Sequence, residues 1–233
     1  MDVPAELLRH TQRSNELHFQ YARDSRLREI YQAFIDWQLD YLLQYFEDMQ
    51  ARPDQAAAVA FIISDLAGVE ISQRDQEFAK VVPMMVRLLP KNVLASAAAA
   101  MRLNASVLEN NLAICQSIDA AHLLSGKVRE REYAEACRCV TSYEECMELV
   151  GLTVELGHEL QHAIEIPMIG VTLKAMRGPA RLAGIGALQS FLETGFRTFA
   201  ALENVDQFLS EIEQRMERIF RRIYRGPISA LAA

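Results

Sequence analysis

Val205-Asp206-Gln207-Phe208-Leu209-Ser210-Glu211-Ile212-Glu213-Gln214-Arg215-Met216-Glu217-Arg218-Ile219-Phe220-Arg221-Arg222-Ile223-Tyr224-Arg225 decides the fold class. Val205, Phe208, Leu209, Ile212, Met216, Ile219, Phe220 and Ile223 return every three or four residues or sit next to one another. On a helix of about 3.6 residues per turn they form one continuous apolar face. Asn204, three residues before Gln207, suits the helix cap. The arginines at 215, 218, 221, 222 and 225 crowd the C-terminal end, where the helix dipole favours cations. They could also face an acidic partner, although Glu211, Glu213 and Glu217 dilute them.

The same period runs back through the chain. A first helix is expected over about Pro4 to Arg23 and a second, capped by Asp24 or Ser25, to about Gln50. Ile30, Phe34, Trp37 and Tyr41 form the second helix's stripe; with Tyr45 and Phe46 such rings read as core, or as the wall of an apolar pocket. Pro53 suits the turn that opens a short apolar helix to Leu66, ended by Gly68. Ser72 is expected to cap the next helix, and Pro83 to kink or divide it. A long helix follows over Val93 to Ile118, then a mobile loop around Ser125-Gly126-Lys127 and a shorter helix over Glu132 to Val140. Ser142 and Glu145 make a capping box for a helix over Tyr143 to Glu165, stopped near Pro167, and Gly178-Pro179 opens another. Strand-like alternation is absent over any useful length. The expectation is an all-α protein: one multi-helix bundle of about eight to ten amphipathic helices over residues 1–225, with a frayed tail over 226–233.

With 233 residues, 51% of them hydrophobic, the chain is long enough to bury a substantial core. The net charge of −7 makes nucleic acid an unlikely partner. No window approaches the ~20 apolar residues of a membrane span. The acidic start, Met1-Asp2-Val3-Pro4-Ala5-Glu6, lacks the order of a signal peptide, so a cytoplasmic location is expected. Cys115, Cys137, Cys139 and Cys146 lack the paired spacing of a zinc knuckle and read as reduced thiols.

One stretch spells chemistry. His158-Glu159-Leu160-Gln161-His162 is an H-E-x-x-H pattern. On a helix, histidines at i and i+4 share a face and can grip one zinc ion, with the glutamate as general base on a zinc-bound water. Glu193 and Glu203 lie downstream on later helices and either could serve, with Glu193 taken as the speculative third ligand. Against this, a helical wheel puts both histidines on the polar side, where Glu155 with His158 and Glu159 with His162 are ordinary i,i+3 neighbours. The E-x-x-H pairs of a carboxylate-bridged metal site need two helices, and here both lie on one. A separate group, Lys174, Arg177 and Arg181, gathers near the helix start at Gly178, where it could hold a phosphate or carboxylate.

Phe61-Ile62-Ile63-Ser64-Asp65-Leu66-Ala67, Ser72-Gln73-Arg74-Asp75, Val82 to Pro90, Arg177 to Gly184 and Leu188 to Glu193 together resemble a bacterial family known by an FFLEELY motif. The similarity spans roughly residues 30 to 215. At the naming motif only Phe61 and Leu66 are identical, with Ser64 at the first acidic position and Ala67 at the final tyrosine. The resemblance implies an all-α fold and a proteobacterial cytosolic origin, and no activity.

The leading expectation is therefore a non-enzymatic binding or adaptor protein without a cofactor, using an unidentified protein partner or self-association. The alternatives are a zinc-dependent hydrolase at His158-Glu159-x-x-His162 and an anionic small-ligand binder near Gly178.

Overall fold

The computed structural model describes residues 2–65 and 71–227, without the side chains at 64, 65 and 71. All regular structure among these residues is helical. Helix α1 (Val3–Arg23) is capped by Asp2, and α2 (Ser25–Leu43) by Asp24, whose carboxylate accepts from the amides of Arg26 and Leu27. A 3-10 turn at Gln44–Phe46 leads into the short α3 (Glu47–Gln50), and α4 (Ala56–Ala60) continues into a π turn at Phe61–Asp65. Then come α5 (Ile71–Leu88), α6 (Lys91–Ser117), α7 (Ala120–Leu124), α8 (Glu130–Val140) and α9 (Tyr143–Glu165). The chain ends with α10 (Ile169–Ala175), α11 (Arg177–Leu182), α12 (Gly186–Ala200) and α13 (Val205–Arg225).

The all-α expectation holds, but the segments outnumber the eight to ten expected. The extra ones arise where the chain turns sharply. The expected helix to Gln50 breaks at the 3-10 turn, and the region after Pro167 divides in two. Met168 takes a left-handed backbone (φ 69°), and Gly184 does the same (φ 67°) at the corner between α11 and α12. Pro83 neither ends nor divides α5; it faces solvent, where water can satisfy the carbonyl left without its helical donor. Ser72 sits inside the first turn of α5 rather than before it. The stretch at 125–127 is a closed turn: Gly126 N–H donates to Leu123 O and Lys127 N–H to His122 O. Leu66, Ala67 and Gly68 lie outside the described residues, as do 228–233 of the tail.

Two apolar cores result. The larger joins α2, α4, the inner half of α6, α8 and α13, with Phe34, Phe46, Phe208 and Ile219 fully buried. The smaller packs Leu7 of α1 against Val82 of α5 and Leu94, Ala98 and Met101 of α6. α9 lies along α13, and Gly157 lets them approach: a Cβ there would stand 2.6 Å from Leu209 Cδ2. The capping box forms as read, with Ser142 and Glu145 each bonding the other's backbone amide. Trp37, Tyr41 and Tyr133 pack on one another with centroids 5.0–5.5 Å apart, as core.

Candidate functional site

The H-E-x-x-H residues lie on α9 as expected, but they diverge. His158 is half-buried; its Nδ1 lies 3.3 Å from Gln161 Oε1 and 3.4 Å from Asp206 Oδ1 on α13. Glu159 turns the other way and accepts from Ser96 Oγ on α6 at 3.3 Å. His162 is exposed and has no polar partner among the described residues. Glu193, on α12, is held by Arg177, whose Nε donates to Oε2 at 2.7 Å and whose Nη2 donates to Oε1. That pair holds the Glu193 carboxyl below its ordinary range. Among the described residues no group of three or more His, Cys, Asp and Glu is placed to hold a metal ion. The structure thus joins Arg177 to Glu193, two residues that the sequence assigns to different sites.

Lys174 and Arg181 are exposed. Neither has an ion-pair or hydrogen-bond partner for its side chain among the described residues. The cysteines are all free; burial pushes the thiols of Cys115 and Cys137 up to about 12, where little reactive thiolate exists at neutral pH.

Sequence reasoning missed a buried polar cluster where α1, α5 and α6 meet. Asp75, 1% exposed, is its centre. Asp75 Oδ2 accepts from Ser14 Oγ (2.7 Å), His18 Nε2 (2.8 Å) and Asn104 Nδ2 (2.6 Å). Asp75 Oδ1 accepts from Arg74 Nε (3.0 Å) and Nη2 (2.9 Å). Arg74 also donates to Asn104 Oδ1, and its guanidinium lies 4.5 Å from the centre of the Phe191 ring on α12. Burial pushes the Asp75 carboxyl upward, but the His18 hydrogen bond, Arg74 and Ser14 outweigh it and hold it below its usual range. A carboxylate that already accepts five hydrogen bonds has no lone pair left for chemistry. The serine donates to the aspartate and not to the histidine, so this is no nucleophile–base relay. The cluster is a clamp.

The clamp extends to α12. Phe61 stacks on Phe191 at 5.1 Å, close against Gly195. Glu77, buried on α5, accepts from the Leu188 amide (2.8 Å) in the first turn of α12, where a helix N-terminus favours an anion. Gln189 Nε2 donates to Leu173 O of α10 (2.6 Å), and Gly170 packs against Phe196. Three of the segments behind the family resemblance, at Phe61, Arg74-Asp75 and Leu188–Phe191, therefore meet in one place.

What the clamp supports is an unusual surface. Of thirteen exposed large apolar side chains among the described residues, ten fall within residues 78–108 and 166–192. Neither stretch contains an Asp or Glu. Together they carry seven cations (Lys80, Arg87, Lys91, Arg102, Lys174, Arg177 and Arg181), leaving −14 for the rest of a chain whose net charge is −7. Lys80 Nζ reaches Gly184 O at the α11–α12 corner and joins the two stretches. The acid-free stretches were visible in the sequence; that their apolar residues stay uncovered was not.

Fold and surface define an all-α protein with a buried polar clamp beneath an apolar, cationic face. No helix among the described residues is long and apolar enough to cross a membrane. Over residues 18–229 the chain matches the model of a domain of unknown function, DUF8198, and it belongs to that family. No curated protein and no solved structure matches it.

Proposed function

We propose that this chain is a non-enzymatic binding protein that docks through the apolar, cationic face formed by α10, α11 and the C-terminal half of α5, segments that themselves carry no Asp or Glu beyond Glu77. One observation carries the reading: the exposed apolar side chains concentrate on the two stretches that lack acidic residues. Leu182 is 91% exposed and Met168 68%. Contiguous exposed apolar surface marks interaction sites, whereas scattered single residues do not. The exposed cations Lys174, which lies near enough to Glu193 to help hold its carboxyl down, and Arg181 give the face its sign. Within this reading Lys174, Arg177 and Arg181 serve the docking face rather than a small-anion pocket, Arg177 through its pair with Glu193. The FFLEELY resemblance adds a bacterial, cytoplasmic setting.

The test is photo-cross-linking in cells from a photoreactive residue at position 182 or 171, with position 131 on α8 as control. Adducts at 182 and 171 but not at 131 are expected. Their absence at all three positions would sink the reading.

A further inference from the structure

The geometry points to the surface of an anionic phospholipid bilayer as the partner of the α10–α11 face, an inference that rests on the docking reading above.

The first reason is shape. A protein partner needs a complementary surface, and apolar residues that serve it usually sit in packed, partly buried positions. Here the apolar side chains protrude from short helices. On α10 the inner side, Gly170 and Leu173, is used against α12, and Met168 and Val171 lie on the opposite side. Leu182 caps α11 with almost its whole surface in water. Exposed aliphatic side chains grouped among cations match a fluid acceptor that needs no preformed pocket.

Charge gives the second. An interfacial element carries cations among its apolar residues, and acidic groups there would be repelled by anionic headgroups. No acidic residue lies between Glu165 and Glu193, nor between Glu77 and Glu109. Lys174 and Arg181 flank the protruding residues. On α5, Lys80, Met84, Arg87 and Leu88 share one side by their spacing, and Lys80 touches the Gly184 corner. The excess negative charge elsewhere would orient the molecule with this face toward the membrane.

A self-dimer through the same face is disfavoured, because it would bring the exposed cations of two copies together. Nucleic acid is disfavoured because its recognition rests on phosphate contacts and a dominant basic patch, and gives no use to protruding aliphatic side chains.

The experiment is flotation of the full chain with phosphatidylcholine vesicles, with and without phosphatidylglycerol, at low and high salt. Binding only to the phosphatidylglycerol vesicles, weakened by salt, is expected. Lys174→Gln/Arg181→Gln should lower the partition coefficient about thirtyfold, since each basic side chain near an anionic surface contributes roughly fivefold. Leu182→Ser should lower it about tenfold through lost insertion. Arg218→Gln, an exposed cation on α13, removes one unit of charge outside the face and should change partition by less than about twofold, against the roughly fivefold per charge expected within it. Thermal melts of all variants should match the parent, because the substituted side chains are exposed. No binding to the anionic vesicles, or equal loss in Arg218→Gln, overturns the lipid assignment. If flotation fails while position 182 still cross-links to a protein, the docking reading stands and only the lipid partner falls. If both fail, both fall.

Discussion

The last helix and the α10–α11 segment are both rich in apolar and cationic residues, yet they end in opposite states. On α13 the apolar face is sunk in the larger core, with Phe208, Leu209, Ile212, Ile219 and Ile223 at most 1% exposed. Its arginines are mostly spent within the molecule: Arg215 on Asp48, Arg221 on Glu217, Arg222 on Glu130 and Arg225 on Glu144. On α10 no residue is buried, and the side chains of Lys174 and Arg181 make no ion pair or hydrogen bond among the described residues. Amphipathic composition alone does not decide which state results. What packs against the element does: α13 lies against α8 and α9 along its length, whereas α10 and α11 rest on α12 by one side and leave Met168, Val171 and Leu182 uncovered.

The largest effect should come from exchanging equivalent apolar residues. Phe208→Ala should cost about 3–5 kcal/mol in urea unfolding, the loss expected for an aromatic in a packed core. Leu182→Ala should cost less than about 0.5 kcal/mol, because it loses no burial. Similar costs for the two would break the comparison.

Next is the clamp that carries the exposed face. Asp75→Ala should cost about 3–5 kcal/mol, because it leaves Arg74 buried beside an empty site. The Asp75 carboxyl is depressed in the folded state. Its stabilisation is therefore full above the unfolded carboxylate value of about 3.9 and is lost as pH falls through the folded value. Acid unfolding followed by circular dichroism should show the parent and Asp75→Ala curves converging below about pH 4. A gap that persists there would mean that the cluster's contribution is packing and not charge.

Two glycines give a smaller contrast with opposite signs. Gly157→Ala should destabilise by about 1–3 kcal/mol, since the new Cβ collides with Leu209 in the α9–α13 seam. Gly151, inside α9, is exposed, has nothing within 4 Å of a built Cβ and no positive φ. Gly151→Ala should stabilise by about 0.4–1 kcal/mol through the unfolded chain's entropy. Chemical unfolding of both variants reads the difference in sign.

Much of this contrast was legible in the sequence. The α13 stripe, the Asn204 cap and the Ser142–Glu145 capping box follow from local spacing, which needs no partner to interpret. The clamp had a signal too. Leu7, Thr11, Ser14, His18 and Tyr21 recur at helical spacing, so three polar residues stand in an otherwise apolar row; Asp75 shares a row with Phe78 and Val82 in the same way. What the sequence lacked was the pairing across α1, α5 and α6, since contacts between residues 57 to 90 positions apart are set by packing. The exposed face was illegible for a related reason: an apolar residue looks the same in a sequence whether or not something covers it.

Helix α9 links the two regions, because it packs on α13 and then runs out toward Ile166. Its histidines supply the smallest predicted effect. His158 faces Asp206 and Gln161, and Glu159 faces Ser96 across the helix. Glu193 is committed to Arg177, so zinc at His158 and His162 would have to make do with two protein ligands where a catalytic site uses three. Stabilisation by a ligand grows only as the logarithm of its concentration over its dissociation constant. Micromolar zinc should therefore leave the melting temperature of the parent within about 1 °C of that of His158→Ala/His162→Ala, and elemental mass spectrometry of both should agree. A zinc-dependent rise confined to the parent, with one metal per chain, would revive the hydrolase reading. With Glu193 as the zinc's third ligand, Arg177 would lose its carboxylate partner and become a further cation on the proposed docking face.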